Sequence, residues 1–349
     1  MLKFSDRLNA ITQLGKWIKD FCNQSIFENK VEMSLNTCIQ MQHIYNPWHT
    51  EAFIRKELWL WTGKLFHESL ALLIKQYPDL EVKRAVCQIA VIPGDDLPLD
   101  GFSDFIFTIL ASHHFYCRNI NHQHDLLQLL TEQLISIEPK LADNIHWVEK
   151  FPKLANNFLV YDKSENISKL SQYLGPNKII RRKKISLAII GPNDRHEDFK
   201  LLADDIFNFF GRSNYNVRKM YVPEHFSFPV FFEAIEHFSY VVRHNKYANH
   251  YNYQSNVLLM DRKPFLDNGF ILVKESQEME PPIGCLYYEF YQDLTELITK
   301  LRANEGLIQQ IVTNFAEVLH SVKPGEAFNI PLGHFDDHQE TLQFLIDLV

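Results

Sequence analysis

Long apolar runs are absent from this sequence. No stretch reaches the roughly eighteen consecutive apolar residues of a membrane-spanning helix, so we expect no membrane span. Residues 1–8 carry charges and no apolar core ahead of a small-residue cleavage site, which differs from the pattern of a secretory signal. We therefore expect the protein to be cytoplasmic.

Cysteine is scarce, and its spacing is irregular. The chain has five cysteines and no CxxC pair: Cys22, Cys38, Cys87, Cys117 and Cys285. A sparse, odd set of thiols does not suit a disulfide framework or a cysteine-ligated zinc site. We expect each cysteine to be a reduced, small, buried hydrophobic residue.

The 16 histidines show no metal-binding spacing. Four of them lie close together in the chain: His113, His114, His122 and His124. No HExxH pattern and no cysteine partner accompanies them. We interpret these histidines as structural residues and predict no metal site.

Basic residues are not in excess. The formal net charge of -8 disfavours non-specific binding to nucleic acid, so we expect no nucleic-acid partner. One compact basic run, residues 181–184 (RRKK), is interpreted as a solvent-exposed charge cluster ahead of a strand. The alternative is a contact with a phosphate of coenzyme A or of a nucleotide.

The periodicity of the apolar residues indicates two kinds of region. Residues 6–77 follow a helical pattern, with Thr50 or His49 as a helix N-cap and Phe53 as the first core residue behind it. Short apolar strands then alternate with helices, which is typical of parallel βαβ units. We predict strands at 84–92, 114–118, 157–161, 185–190, 217–222, 256–260 and 270–273, and helices at 104–110, 125–137, 198–210, 229–238 and 293–302. An aromatic, Asn-rich stretch at 246–253 is predicted to be a loop.

The chain is long enough for two domains, because 349 residues exceed the size at which a single core keeps growing. The predicted fold class is α/β, with two Rossmann-like parallel-sheet domains and a helical N-terminal segment. We assign the helical segment to 1–77, a nucleotide-binding-type domain to 78–184, a catalytic-type domain to 185–325 and a C-terminal segment to 326–349.

Several motifs occur in a fairly specific order: 46–48 (NPW), 97–104 (LPLDGFSD), 205–211 (DIFNFFG), 244–249 (HNKYAN), 264–270 (PFLDNGF) and 287–291 (YYEFY). Together they resemble the bacterial long-chain fatty acyl-CoA reductases of the bioluminescence type, here in a short form. The resemblance implies an aldehyde-dehydrogenase-like fold. In that family a cysteine takes the acyl group from coenzyme A as a thioester, and hydride from NADPH releases an aldehyde.

The resemblance also implies that the reactive residues have changed in this chain. Residues 211–217 (GRSNYNV) align Asn214 with the family's cysteine, and an amide cannot form the thioester. Ser213 is adjacent, but an ester on its hydroxyl would be a poor hydride acceptor. Residues 95–99 (DDLPL) align Asp96 with an asparagine that faces the oxyanion, where a carboxylate would repel developing negative charge.

The cofactor side shows a similar departure. Tyr161, Asp162 and Lys163 replace a Thr-Gly-Ser turn, and Asp162 adds bulk and negative charge where a pyrophosphate would approach closely. Arg118 takes the place of a family lysine near the adenosine ribose. His244, Lys246, Tyr247 and Asn249 match the family and are predicted to lie on a loop at the cleft or at a domain interface.

Three hypotheses follow. The leading one is a family member that has lost the acyl-cysteine chemistry and its NADPH step, and that acts as a binding or regulatory subunit beside an active paralogue or an acyl carrier. The second is an active NADPH-dependent reductase with a displaced nucleophile, for which Cys285 is the candidate thiol in the second domain. The third is a non-covalent module for an acyl-CoA, another acyl compound or a nucleotide. Acyl chain length and the choice between NADPH and NADH stay open, and we expect a homo- or hetero-oligomer.

Overall fold

The computed structural model describes residues 2–27, 29–82, 85–152, 155–161, 174–181, 183–318, 321–333 and 336–348. The chain divides into two compact units, Met1–Arg182 with Ile330–Val349, and Lys183–Asn329. The predicted segment 1–77 and most of 78–184 and 326–349 fall in the first unit, and the predicted domain 185–325 makes up most of the second.

The described α-helices are, in chain order, α1 Phe4–Cys22, α2 Lys30–Tyr45, α3 Glu51–Lys64, α4 His67–Gln76, α5 Phe102–Leu110, α6 Asp125–Ile137, α7 His196–Phe207, α8 Phe228–Ile235, α9 Asn245–Met260, α10 Leu294–Arg302 and α11 Asp336–Asp347. The described strands are β1 Gln88–Ile92, β2 His114–Cys117, β3 Ile145–Trp147, β4 Asn157–Tyr161, β5 Asn177–Arg181, β6 Ile185–Ile189, β7 Val217–Pro223, β8 Leu266–Asp267, β9 Leu272–Glu275, β10 Cys285–Tyr291, β11 Ile308–Thr313 and β12 Ser321–Val322.

The first unit contains a parallel five-stranded sheet in the order β3-β2-β1-β4-β5. The chain builds outward from β1 through β2 to β3, then returns to the other side of β1 to form β4 and β5. This is the strand order of a doubly wound sheet. Its topological switch point, where such sheets bind ligands, lies at the carboxyl ends of β1 and β4.

The second unit contains a seven-stranded sheet in the order β12-β11-β6-β7-β10-β9-β8. Neighbouring strands run parallel, except that the edge strand β8 pairs with β9 in the antiparallel sense. The amino ends of β6, β7 and β10 therefore lie along one edge of this sheet.

A large apolar core in the first unit draws on distant parts of the chain. Leu14 of α1, Ile54 of α3 and Phe105 of α5 lie in it together with Leu342 and Leu345 of α11. The second unit has a smaller cluster between its sheet and α10, formed by Leu187, Ile189, Tyr221, Leu297, Leu301 and Val318.

Local sequence signals fixed several boundaries. Helix α3 starts where predicted, because the Thr50 side chain accepts a hydrogen bond from Phe53 N (3.4 Å). Helix α6 and strand β4 have the predicted limits. None of the helices in the described ranges combines the length and the apolar character needed to cross a bilayer.

Three predictions for the second unit are wrong, two in the type of element and one in the end of a helix. The stretch 246–253, predicted as a loop, and the stretch 256–260, predicted as a strand, form one helix, α9. His244 caps that helix by accepting from Tyr247 N, and burial of Tyr247 and Leu258 outweighs the weak helix propensity of its asparagines and tyrosines. The helix predicted at 198–210 ends at Phe207, because Phe209 and Phe210 have positive φ angles.

Candidate functional site

The loop after β1, residues 93–101, carries Asp96 at the switch point of the first sheet. Its backbone is fixed by carboxylates. Asp100 Oδ2 accepts hydrogen bonds from Asp96 N (2.8 Å) and Leu97 N (3.1 Å). Glu57, on α3, accepts from Leu99 N (3.0 Å). Three amides of this loop, those of Asp96, Leu97 and Leu99, are therefore already bound to carboxyl groups.

Residues of the predicted NPW motif and its neighbour hold the same loop from the α2–α3 side. Asn46 Nδ2 donates to Asp95 O (3.3 Å), and His49 Nε2 lies 3.2 Å from the same oxygen. Asn46 and His49 are both buried. This motif therefore positions the backbone beside Asp96.

Glu57 is a buried carboxyl group. Burial raises its pKa to about 8, and the charge of Asp100 adds to the rise, although the Leu99 hydrogen bond and Lys64 act in the opposite direction. Burial also lowers the pKa of Lys64, to about 8. Sequence reasoning missed Glu57, because a glutamate on an amphipathic helix normally indicates an exposed face.

The structure brings Asp96 and Tyr161 together, two residues predicted for different roles. The Tyr161 hydroxyl donates to Asp96 Oδ2 (3.4 Å) across the carboxyl ends of β1 and β4. Below them Gly94 leaves no room for a side chain. A Cβ at position 94 would lie 2.4 Å from Tyr161 Cδ1 and 2.7 Å from Asp100 Oδ2. The tyrosine ring thus packs directly on the loop backbone.

The described part of this switch point differs from a dinucleotide site. Pyrophosphate sites in such sheets use glycines for close backbone approach and N–H groups for the charge. Here the Tyr161 ring covers Gly94, Asp100 occupies two amides, and Asp95, Asp96 and Asp100 supply like charge. Asp162 and Lys163 lie outside the described residues. Arg118 is exposed just beyond the carboxyl end of β2.

The turn before β7, residues 208–216, carries Ser213 and Asn214. It begins with a left-handed segment, in which φ is 53° at Phe209, 57° at Phe210 and 69° at Gly211. Two bulky residues in that region cost about 1–3 kcal/mol each, so other contacts must hold them. The Phe209 ring packs on Phe328 (5.1 Å between centroids), and the Phe210 ring packs on His244 (4.3 Å).

One buried asparagine holds this turn from inside. Asn216 Nδ2 lies within hydrogen-bond distance of the carbonyl oxygens of Asp205 (3.0 Å), Ile206 (3.2 Å) and Asn208 (2.8 Å). Asn216 Oδ1 accepts from Ser213 N (2.9 Å). The amide group of Asn216 therefore ties the end of α7 to the residues that enter β7.

Asn214 sits in this fixed turn at the amino edge of the second sheet. Its carbonyl oxygen accepts from Ser186 Oγ (2.7 Å), and the residue is only 7% exposed. Its side-chain Oδ1 is buried and has no hydrogen-bond partner among the described residues. Ser213 is buried too, and its Oγ accepts from Tyr215 N (3.2 Å) rather than facing a base in the described ranges.

The motif residues on α9 fall into two groups, on a helix and not on the predicted loop. His244 and Tyr247 contact Phe210 of the turn, and Tyr247 is buried with its hydroxyl donating to Phe270 O (3.0 Å). Lys246 and Asn249 are exposed. The first two residues therefore support the Asn214 turn, and the last two lie at the surface of α9.

None of the five cysteines is activated. Burial raises the pKa of Cys22 to about 11 and the pKa values of Cys38 and Cys285 to about 12. It also raises the pKa of Cys87 and, strongly, that of Cys117. A thiol reacts as its thiolate, and reactive cysteines have lowered pKa values. All five are free thiols.

One of the clustered histidines, His113, is buried and held by hydrogen bonds. The buried His113 ring accepts from Cys87 N at Nδ1 (3.1 Å), and its Nε2 lies 2.8 Å from Leu345 O, which indicates a structural role. Within the described ranges, no three His, Cys, Asp or Glu side chains gather closely enough to hold a metal ion.

The prediction of a solvent-exposed basic run at 181–184 is wrong for Arg181, and Arg182 lies outside the described residues. Arg181 pairs through two nitrogens with the buried Asp104, and this ion pair is itself almost fully buried. Lys183 pairs with Glu280. In the second sheet the fully buried Lys219 pairs with Glu289 and donates to Gln277 O (3.1 Å), a cluster that sequence reasoning missed.

Comparison with solved structures identifies the fold. The chain is similar to aldehyde dehydrogenase 21 from Physcomitrella patens, with a TM-score of 0.63 and 11% identity over 91% of this chain and 74% of that one. It is similar to a mutant of Thermus thermophilus 1-pyrroline-5-carboxylate dehydrogenase (0.62, 9%, over 99% and 80%). It is also similar to an NAD-dependent benzaldehyde dehydrogenase from Corynebacterium glutamicum (0.62, 9%, over 94% and 84%).

No protein-family model matches the chain, and no curated protein matches its sequence. At identities of 9–11% the likeness to solved structures shows the fold alone. The predicted fold class is confirmed: the chain has the α/β fold of aldehyde dehydrogenases, with two parallel-sheet domains.

Proposed function

We propose that this protein is a relative of the fatty acyl-CoA reductases that does not carry acyl groups covalently and acts as a binding or regulatory subunit. The observation that carries the proposal is the buried Asn214 at the position that the resemblance gives to the reactive cysteine. The turn around Asn214 is held by the hydrogen bonds of Asn216. This supports a protein that keeps the family's scaffold at this position and lacks its nucleophile.

The chemistry of the other candidate nucleophiles supports the same proposal. Acyl transfer would require a sulfur to attack the thioester and release coenzyme A, and this step needs a thiolate. Burial keeps the pKa of Cys285, the candidate displaced nucleophile, at about 12, so that thiol stays protonated at neutral pH. Ser213 Oγ accepts a backbone hydrogen bond and is 2% exposed.

The oxyanion side favours the proposal too. A working site places hydrogen-bond donors where negative charge develops. At the position aligned with the donor amide, this chain has the acceptor Asp96, which itself receives the Tyr161 hydroxyl. A carboxylate there opposes the tetrahedral intermediate.

The cofactor belongs to the same proposal. The resemblance favours NADPH, and one structural neighbour is named as NAD-dependent. The covered Gly94 and the three carboxylates of the loop after β1 favour loss of dinucleotide binding. We expect NADPH to leave the melting temperature unchanged, because only a ligand that binds the native state raises it.

The decisive experiment is acyl trapping. The wild-type protein is incubated with a radiolabelled long-chain acyl-CoA, and intact mass and label are followed. Acylation would add the mass of the acyl group to the protein and release coenzyme A. We expect no such adduct. An adduct that maps to Cys285 or Ser213, and that is lost in Cys285→Ser or Ser213→Ala, would overturn the proposal and favour an active reductase.

Asn214→Cys is the matched control. It returns a thiol to the position aligned with the reactive cysteine and leaves the Asn216 hydrogen bonds in place. Label on this variant, with none on the wild type, would show that the assay detects acyl transfer and that one residue accounts for the loss. Copurification of the wild type with an acyl carrier or a cysteine-bearing paralogue would then identify the partner.

A further inference from the structure

A groove of about 670 Å³ opens on the second unit. We call it the Arg218 groove. It is lined by Lys183, Arg218, Glu280 and, on α9, Asn249, His250 and Tyr253. Its volume lies in the range of small-molecule sites. Lys183 precedes β6, Arg218 lies near the start of β7, and Glu280 precedes β10, so the groove lies at the amino edge of the second sheet.

Arg218 is the buried cation of the groove, whereas Glu280, the anion that pairs with it, is half exposed. The Arg218 side chain is only 7% exposed, and its Nη2 donates to Pro281 O. Arg218 Nη1 lies 3.4 Å from Glu280 Oε1, and Lys183 pairs with the same oxygen. The Glu280 side chain is 52% exposed and belongs to the loop between β9 and β10. Because the Glu280 carboxylate is half exposed, another anion can reach the two cations from solvent and take its place, so that the buried guanidinium keeps an anionic partner.

The charge count defines the ligand. Desolvation works against ionisation of Glu280, yet the hydrogen bond from Lys183 and the charges of Lys183 and Arg218 hold its pKa below the usual range. Among the residues that line the groove, the one carboxylate, that of Glu280, thus pairs with two cations. A ligand with a single carboxylate would only replace the Glu280 carboxylate with an equivalent group. A phosphate monoester carries close to two charges and three acceptor oxygens at neutral pH, so it can pair with both cations at once.

The wall opposite the cations suits the rest of such a molecule. Asn249, His250, Tyr253 and Gln254 recur at i, i+1, i+4 and i+5 along α9, so they share one face of that helix. Their amide, imidazole and phenol groups offer hydrogen bonds, and the exposed Tyr253 ring offers an aromatic surface. Pro281, Pro282 and Ile283 add apolar lining.

We propose that the Arg218 groove binds a small phosphate monoester with an apolar or aromatic body, and that Glu280 occupies the cationic pair until this ligand displaces it. The groove would bind such a ligand whether or not the protein forms an acyl-enzyme. The buried Arg218 guanidinium would bind the phosphate of the ligand, and the half-exposed Glu280 carboxylate would compete with that phosphate for the two cations.

The test is calorimetric titration of the full-length protein with phenyl phosphate, beside benzoate as the monoanionic probe of similar shape. At pH 7.5 we expect phenyl phosphate to bind with a Kd below about 1 mM and benzoate to bind at least tenfold more weakly. Absence of phenyl phosphate binding at several millimolar, or equal binding of benzoate, would overturn the proposal.

Variants separate the groove from non-specific charge effects. Glu280→Gln removes the competitor and should tighten phenyl phosphate binding about tenfold, whereas Lys183→Gln should weaken it about tenfold. Arg218 is buried, so Lys183 is the safer target for a folded variant. Lys263→Gln is the matched control, because Lys263 is an exposed lysine paired with Asp261 outside the groove and should leave the affinity unchanged. Unchanged binding in Glu280→Gln and Lys183→Gln, or an equal loss in Lys263→Gln, would contradict the assignment.

Discussion

The loop after β1 and the turn before β7 both carry residues aligned with reactive groups, but they are held by different means. Carboxylates fix the loop: Glu57 and Asp100 bind its amides, and one of them is a buried acid with a raised pKa. A neutral amide, Asn216, fixes the turn. The loop therefore depends on the protonation of a buried acid, whereas the turn does not.

The sharpest way to break the turn is Asn216→Ala. It removes the donor to three buried carbonyl oxygens and the acceptor for Ser213 N, while Phe209 and Phe210 keep their unfavourable backbone angles. We expect the free energy of unfolding to fall by about 3–4 kcal/mol, measured by urea unfolding. The loss should be the same at pH 6 and pH 8.

Asn256→Ala is the control for that variant, because Asn256 is exposed on α9. It should change the free energy of unfolding by less than about 0.5 kcal/mol. A small effect of Asn216→Ala, close to that of Asn256→Ala, would show that the turn does not depend on this amide.

The pH dependence of stability tests the loop. Because the folded-state pKa of Glu57 is about 8, above its ordinary value, the native state holds this proton more tightly than the unfolded chain. The free energy of unfolding should therefore fall as the pH rises from about 5 to about 8, by on the order of 2–3 kcal/mol. The lowered pKa of Lys64 has the opposite sign and gives a recovery above about pH 8.

Glu57→Gln should flatten the acid side of this profile, because the amide oxygen can still accept from Leu99 N but no longer titrates. Denaturant midpoints at pH 5, 6, 7 and 8 provide the measurement. An unchanged slope in the variant would mean that another group causes the pH dependence, and the contrast between loop and turn would fail.

Gly94→Ala tests the packing of Tyr161 on the loop. The added Cβ would meet the Tyr161 ring and the Asp100 carboxylate, so we expect a loss of about 1–2 kcal/mol in thermal or urea unfolding. Gly63→Ala on α3 is the matched control of opposite sign. Nothing lies within 4 Å of its added Cβ, so it should raise the helix propensity and stabilise the protein by about 0.5–1 kcal/mol. Equal signs for the two variants would contradict the packing.

The smallest expected effect on stability is that of Asn214→Cys. The Asn214 side-chain oxygen has no hydrogen-bond partner among the described residues, so little is lost when it is removed. We expect a change of less than about 1 kcal/mol by urea unfolding, in contrast to Asn216→Ala two positions away. A large loss would show that Asn214 holds the turn, as Asn216 does.

Local signals account for the parts of the fold that the sequence predicted. A capping threonine located α3, and an amphipathic leucine pattern located α6. Helix α9 was missed because its asparagines and tyrosines show no apolar period, and burial of Tyr247 and Leu258 decides its structure. Strand β5 was missed because its charged ends suggest solvent, whereas Arg181 meets Asp104 77 positions away in the chain.

The candidate site shows the same division. The sequence identified Asn214, Asp96 and Tyr161 through a resemblance, and their roles stay predictions. It did not indicate that Asp96 accepts a hydrogen bond from the Tyr161 hydroxyl, or that the Asn216 amide lies within hydrogen-bond distance of three carbonyl oxygens. Both arrangements depend on the path of the backbone. An asparagine in a polar turn looks the same in a sequence whether it faces water or holds the turn together.

Helix α11 has a consequence for how this protein is made. Leu342 and Leu345 of α11 pack in the same core as α1, α3 and α5. The whole second unit lies in the chain between these three helices and α11. At the usual 5–20 residues per second, a ribosome needs roughly 10–30 s to travel from residue 183 to residue 345. During that interval the nascent first unit exposes an unfilled apolar surface, so chaperone supply and translation speed should influence its yield more than that of the second unit.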